Sequence, residues 1–247
     1  MEIISMLLLI IPLAIAPGIA ISLFIYYKDK YEKEPFRLLL FCFLFGLLSI
    51  VPALIVELSA GAIGIDDMHG PFITFVYAFF IVSLSEELSK FFFLRVFAFR
   101  KKEFNEPFDG IVYSVMISMG FATLENVIYS FSGGFSSTML RMFTAVPLHA
   151  SCAILMGYFV GLAKFRSAPA LYMFLGVIFA VMLHGIYDFF LFMNDIPALA
   201  VVAFASLGGG VALSFISMNK SVKMSPFKNK QTETVPAEKD VPTSSSD

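Results

Sequence analysis

The chemically active side chains of this chain lie within its most apolar segments. The stretch SLSEELSKFFF, residues 83–93, places Glu86, Glu87 and Lys90 inside an otherwise oily run. An ionisable group inside a membrane span costs about 2.5 to 3.5 kcal/mol to insert, and it usually faces a polar interior. Later apolar runs contain further residues of this kind: Glu125, Asn126, His149, His184 and Asp188. We therefore expect a functional site built from several helices.

Helical spacing predicts how two pairs of these residues are oriented. Glu86 and Lys90 are four residues apart, so they share one face of a helix and Lys90 can orient the carboxylate. Glu87 points about 100° away from Glu86, toward a neighbouring helix. His184 and Asp188 are also four residues apart, which lets the carboxylate bind one ring nitrogen of the histidine. Lys90 and Asp188 are thus predicted to be orienting residues.

Carboxylates and histidines at such a site can activate water for peptide-bond cleavage. One version places Zn²⁺ on His149, His184 and a glutamate such as Glu125, with another glutamate as general base. A second version needs no metal, because Glu86 and a histidine activate the water while Asn126 or the second histidine holds the oxyanion. The same residues also suit a proton-coupled transporter or a non-catalytic membrane scaffold. Spacing alone does not choose among these classes.

The elements that carry these residues are predicted to be transmembrane helices. Of the 247 residues, 58% are hydrophobic and 15% are charged, and the mean hydropathy is +0.84, whereas soluble domains hold about 25% charged residues. This composition predicts an all-α, multi-pass bundle surrounded by membrane lipid, and it gives no support to nucleic-acid binding. The chain divides into seven apolar segments of suitable length, at about 3–27, 37–57, 71–97, 108–131, 142–163, 169–192 and 196–218.

The distribution of Lys and Arg predicts the orientation of this bundle. Basic residues concentrate in alternate connections, within 28–37, 95–102 and 164–166, and again after residue 219, whereas Arg141 lies on the opposite side. By the positive-inside rule, the N-terminus is outside and the C-terminus is cytoplasmic. Residues 1–219 are predicted to form the membrane domain. The polar residues 220–247 are predicted to form a disordered cytoplasmic tail.

Depth along the helices singles out one layer of ionisable residues. With a rise of about 1.5 Å per residue, five of them lie roughly 18 to 25 Å from the cytoplasmic ends of their helices. They are Glu86, Glu87, Glu125, His149 and His184. Glu57 falls outside this layer and is interpreted as an interfacial residue, whereas Asp109 is interpreted as a helix-start residue. The layer is therefore predicted to be the site.

Four motifs in this order resemble the PrsW family of bacterial intramembrane proteases, which is related to the CAAX prenyl proteases and bacteriocin-processing proteins. They are EExxK at 86–90, FDGIVYSVMISMGFATLENVIY at 108–129, the lone His149 and HGIYD at 184–188. The resemblance covers about residues 75–192. The long block FDGxxY with GFAxxEN is its most specific part.

The resemblance implies a function and assigns roles to residues. A member of this family is expected to lie in the bacterial cytoplasmic membrane and to make the first cut in a single-span substrate such as an anti-sigma factor, in envelope-stress signalling. By motif, the catalytic residues would be Glu86, Glu87, Glu125, Asn126, His149 and His184, with Asp188 as an orienting residue. The family is commonly classed with the metalloproteases, which implies zinc, whereas the CAAX relatives are argued to activate water with glutamate and histidine directly.

Overall fold

The protein, described here from a computed structural model, is a bundle of helices. The structure describes residues 2–65, 70–193 and 196–228, and this part of the chain contains no β-strand. Its α-helices are α1 (Glu2–Lys28), α2 (Phe36–Ala62), α3 (Pro71–Val76), α4 (Leu84–Val96), α5 (Pro107–Phe143), α6 (Ala145–Phe165), α7 (Pro169–Phe192) and α8 (Ala200–Lys223). A π-helix, Tyr77–Ser83, joins α3 to α4, and short 3₁₀ turns lie at Ala98–Arg100 and Pro197–Leu199.

This architecture confirms the predicted all-α, multi-pass membrane bundle. Six stretches of the described residues are long and apolar enough to cross a membrane. One of them, Pro107–Phe165, is 59 residues long and includes both α5 and α6, which separate at Thr144. The fourth and fifth predicted spans both lie in this stretch. The predicted orientation of the termini stays a prediction.

The last helix extends past the predicted boundary of the membrane domain, and that boundary stays a prediction. Helix α8 continues to Lys223, four residues past the predicted boundary at 219. The greater part of the predicted tail, residues 229–247, lies outside the described residues. The disorder predicted for it stays a prediction.

Helix α5 is the centre of the bundle. Its first 17 residues, 107–123, are all buried, and they pack against α1, α2 and α6, while α6 also contacts α7 and α8. Glycines allow these close approaches, because a Cβ at Gly110 would overlap the backbone of Gly157 and Gly161 on α6. The GxxxG pair of α6 therefore serves as the contact between α5 and α6. Both cysteines, Cys42 and Cys152, are buried and free.

Side-chain capping fixes the start of α5. Asp109 Oδ2 accepts hydrogen bonds from the backbone N–H groups of Asn105 at 2.7 Å and Glu106 at 2.8 Å. The Glu106 side chain accepts from the backbone three residues on, which completes a capping box. The interpretation of Asp109 as a helix-start residue is confirmed.

A break at Gly134 turns the last part of α5 back on itself. Gly134 has φ 62° and ψ −157°, a backbone conformation that is essentially restricted to glycine. A straight helix would place Glu125 and Arg141 about 24 Å apart. Their side chains instead form a contact of 2.8 Å. Residues 135–143, called here the returning segment, therefore lie beside the part of α5 that carries Glu125.

Candidate active site

Two glutamates and a lysine enter the site from the first two turns of α4. Glu86, Glu87 and Lys90 are all buried. The π-helix that precedes α4 is anchored to α7, because Ser83 donates a hydrogen bond of 2.8 Å to the Val181 carbonyl oxygen. Extended π-helical turns are rare in proteins and often lie next to functional sites. This connection sets the rotation at which α4 presents its glutamates.

The Lys90 ammonium group lies between three side chains of the site. Its nitrogen is 2.9 Å from Glu87 Oε1, 3.1 Å from Glu86 Oε2 and 3.1 Å from His149 Nδ1. The ring of Phe121 closes another side, with its centroid 4.0 Å away. The predicted pairing of Glu86 with Lys90 is present, and Lys90 also neutralises Glu87. A buried pair of carboxylates needs such a positive partner.

His184 is held by a carboxylate at each ring nitrogen. Its Nδ1 lies 2.9 Å from Glu87 Oε1, and its Nε2 lies 3.2 Å from Asp188 Oδ2. Glu87 therefore points from α4 toward α7, as helical spacing predicted. Gly185 allows the ring of Phe79 to pack against the same turn of α7, because a Cβ there would overlap that ring. The orientation of the His184 ring is thus fixed from several directions.

His149, on α6, is held in a similar way. Its Nε2 lies 2.8 Å from Glu125 Oε2, while its Nδ1 faces Lys90 and lies 3.9 Å from Glu86 Oε2. The rings of His149 and His184 meet edge to face with centroids 5.1 Å apart. The five residues of the predicted layer, from four helices, therefore form one connected cluster of contacts.

The site opens into a small cavity within the bundle. The cavity has a volume of about 200 Å³, and its walls include Glu86, Glu125, His149, His184 and Asp188. Glu87 does not line it and is fully buried. A water molecule or a peptide carbonyl in the cavity would therefore meet Glu86 before Glu87.

Two residues of charged type on the cavity wall, an acidic one and a basic one, were not assigned to the site from the sequence. Glu57, interpreted as interfacial, contributes to the wall from α2. Arg141, noted only as an isolated basic residue, forms an ion pair with Glu125, with Nη2 2.8 Å from Oε2. The one sequence signal that could have assigned Arg141 to the site was its position as a single basic residue within an apolar segment. Its contact partner depends on the break at Gly134.

Asn126 is placed differently from the sequence expectation. Its Nδ2 donates a hydrogen bond of 3.1 Å to the Ala14 carbonyl oxygen of α1, and its Oδ1 accepts one of 3.2 Å from Arg141 Nε. The side chain is fully buried and does not line the cavity. This geometry gives Asn126 a role in holding α1 and Arg141, and its predicted role as an oxyanion donor stays a prediction.

Four side chains have the chemistry and spacing to hold a metal ion. Each of Glu86, Glu87, His149 and His184 offers a donor atom, and these atoms lie within 4.8 Å of one another. Nitrogen and carboxylate donors suit Zn²⁺, and carboxylates on the outer histidine nitrogens, as from Glu125 and Asp188, are typical of zinc sites. The Lys90 ammonium contacts three of the four, which shows that the position favours a cation. Glu125, predicted as a ligand, lies on the far nitrogen of His149 and is not one of the four.

Comparison with known proteins gives one consistent result. The family described as PrsW family intramembrane metalloprotease matches residues 34–226. The protein called Protease PrsW from Geobacillus kaustophilus is 36% identical over 187 residues, covering 75% of this chain and 81% of that protein. The proteins of that name from Bacillus subtilis and Clostridioides difficile are 33% and 32% identical over 184 and 189 residues. These matches cover 74% of this chain in each case, and 82% and 79% of the two relatives. No solved structure matches.

Proposed function

This chain belongs to the PrsW family of intramembrane metalloproteases, and we propose that it cleaves a single-span membrane protein, an anti-sigma factor, by activating water within the bundle. It is a peptidase and a multi-pass membrane protein of the bacterial cell membrane. The observation that carries the proposal is the convergence of Glu86, His149 and His184 on one buried cavity. Each of these three side chains is oriented by another side chain of the protein, so the arrangement is present before substrate binds.

Glu86 is the residue that we assign as general base. It is the only one of the two α4 glutamates on the cavity wall, and Lys90 holds it at 3.1 Å. A carboxylate in this position accepts a proton from water as the water oxygen adds to the scissile carbonyl carbon. The same proton then passes from Glu86 to the amine nitrogen as the carbon–nitrogen bond breaks. Positive charge on Lys90 stabilises the negative charge that develops nearby.

Zinc, when bound, would be held by His149 and His184 through Nδ1 and by Glu87. We choose Glu87 over Glu86 because Glu87 already contacts His184 and lies away from the cavity, which leaves Glu86 available to the water. Three protein ligands with a fourth position for water are usual in catalytic zinc sites. Zinc in this position would polarise the carbonyl group and lower the pKa of water. Glu125 and Asp188 would then orient the two histidines from their outer nitrogens.

A co-expression experiment tests the proposed function. The chain is produced together with single-span anti-sigma factors of its own genome, each carrying a different epitope tag on each side of the membrane. Wild-type protein is expected to separate the two tags, and Glu86→Gln is expected to leave them joined. Glu103→Gln, which changes a glutamate of the loop before α5, is the control and should cleave normally. Equal cleavage by wild type and Glu86→Gln, or no cleavage of any anti-sigma factor, would reject the proposal.

A further inference from the structure

We propose that Arg141 is a positioning residue for this reaction, which fixes Glu125 against Nε2 of His149 and so sets the orientation of the His149 ring. This inference rests on the proposed function, because it gives His149 a part in the proteolytic site. Arg141 itself lies across Glu125 from that ring.

Three contacts fix the guanidinium group of Arg141. Its Nη2 lies 2.8 Å from Glu125 Oε2, and its Nε donates a hydrogen bond of 3.2 Å to Asn126 Oδ1. Its central carbon lies 4.0 Å from the centroid of the Tyr129 ring. Asn126 is tied in turn to the Ala14 carbonyl oxygen on α1. The planar guanidinium is therefore held by residues of one helical turn of α5, from three directions.

The same oxygen of Glu125 connects this arginine to His149. Glu125 Oε2 lies 2.8 Å from Arg141 Nη2 and 2.8 Å from His149 Nε2. Side chains of Glu125 and Arg141 are 14% and 18% exposed, so water screens the pair only weakly. Loss of Arg141 would leave Glu125 without its strong positive partner and free to change rotamer. The His149 ring would then lose the carboxylate that fixes its outer nitrogen.

The returning segment brings Arg141 into this position. No contact between Arg141 and Glu125 is possible in a straight α5, because the two residues are 16 positions apart. The reversal depends on Gly134, whose φ of 62° and ψ of −157° are strained for any residue with a Cβ. A Cβ at Gly134 would meet no atom within 4 Å, so a substitution there acts through the backbone and not through a steric clash.

Substitutions at both positions test the inference on the anti-sigma factor that wild-type protein cleaves. Arg141→Ala is expected to lower kcat by about 10- to 100-fold, as loss of an outer carboxylate partner of a histidine does elsewhere, while KM changes little. Millimolar guanidinium is expected to restore part of that kcat. Arg141→Lys should be intermediate, because an ammonium cannot bind Glu125 and Asn126 together in the same geometry. Gly134→Ala should lower kcat without guanidinium rescue, and combining it with Arg141→Ala should cause no further loss.

Matched controls separate these effects from general damage. Arg166→Ala removes an exposed arginine of the α6–α7 connection, and Gly208→Ala adds a Cβ in open space on α8. Both controls should retain the wild-type kcat. The inference is overturned if Arg141→Ala keeps the wild-type kcat, or if its loss resists guanidinium. If Glu86→Gln is inactive and Arg141→Ala is fully active, only the inference about Arg141 is rejected. If Glu86→Gln is fully active, the proposed function itself is rejected.

Discussion

Lys90 places its ammonium nitrogen 3.1 Å from Nδ1 of His149, on the opposite side of the ring from Glu125. Nδ1 is the atom that His149 would offer to a metal ion in the proposed zinc site. The same ammonium also contacts both glutamates of α4. The Lys90 ammonium is therefore a positive charge that the chain itself places among the side chains of the proposed zinc site.

Replacing Lys90 with methionine should make the fold depend on zinc. Without metal, Lys90→Met leaves two buried carboxylates unpaired, and breaking such a pair typically costs about 3 to 5 kcal/mol. Added zinc should raise the melting temperature of this variant more than that of wild type. Thermal unfolding in detergent micelles, with and without zinc, measures both effects. Lys102→Met, at an exposed position, is the control. Metal-free Lys90→Met that melts with wild type would contradict the argument.

The two adjacent glutamates should separate into different roles when each becomes glutamine. Glu86→Gln removes the proposed base, so cleavage should fall by roughly 100- to 10,000-fold while zinc remains bound. Glu87→Gln removes the proposed ligand that also contacts His184, so bound zinc should be lost together with cleavage. Metal analysis of the purified variants beside the cleavage rate distinguishes the two outcomes. Metal loss in Glu86→Gln with retention in Glu87→Gln would reverse the assignment.

Asp188 is expected to affect the cleavage rate by orienting the His184 ring. The carboxylate lies 3.2 Å from His184 Nε2, the nitrogen that faces away from Glu87. Asp188→Asn should reduce the cleavage rate by about 10- to 100-fold, because the amide no longer fixes the tautomer and angle of the ring. Cleavage kinetics measure the effect, with Glu103→Gln as the control. A variant with the wild-type rate would show that the contacts on the other ring nitrogen are sufficient.

Stability should fall as the pH rises toward neutrality, because of two carboxyl groups in the connection between α1 and α2. Burial, with the negative charges of Glu106 and Asp109, raises the pKa of Asp29 to about 7, although Lys33 opposes the shift. Burial likewise raises the pKa of Glu34 to about 7, although a hydrogen bond from Tyr113 opposes it. Each folded-state pKa lies above the unfolded value near 4, so between about pH 4 and pH 7 the folded state holds protons that the unfolded state has released.

Melting temperatures across this range test the prediction. Wild type in detergent should lose stability from about pH 4 to pH 7. Asp29→Asn should flatten part of this dependence, because the amide does not titrate. Glu103→Gln, where no buried carboxyl is removed, should follow wild type. If the melting temperature of wild type rises from pH 4 to pH 7, the pH dependence has the opposite sign to the prediction. The raised pKa values of these buried groups would then not dominate the pH dependence of stability.

The sequence by itself determined the local part of this structure. Hydrophobic length defined the membrane helices, and helical spacing placed Lys90 beside Glu86 and Asp188 beside His184, contacts that the structure contains. Depth along each helix grouped the five ionisable residues that the structure joins in one cluster of contacts. These inferences succeed because an α-helix has a fixed rise and turn per residue, so neighbours within one helix follow from residue numbers.

Only the tertiary structure decided which side chains from different helices contact one another in the site. It placed Lys90 against Glu87 and His149, turned Asn126 toward Ala14, and brought Glu57 to the cavity wall. The pairing of Arg141 with Glu125 depends on the reversal of the chain at Gly134. The periodicity of apolar residues in the sequence does not indicate this reversal. Contacts between helices depend on their rotation, crossing and breaks. Those are set by packing throughout the bundle, and local spacing does not contain them.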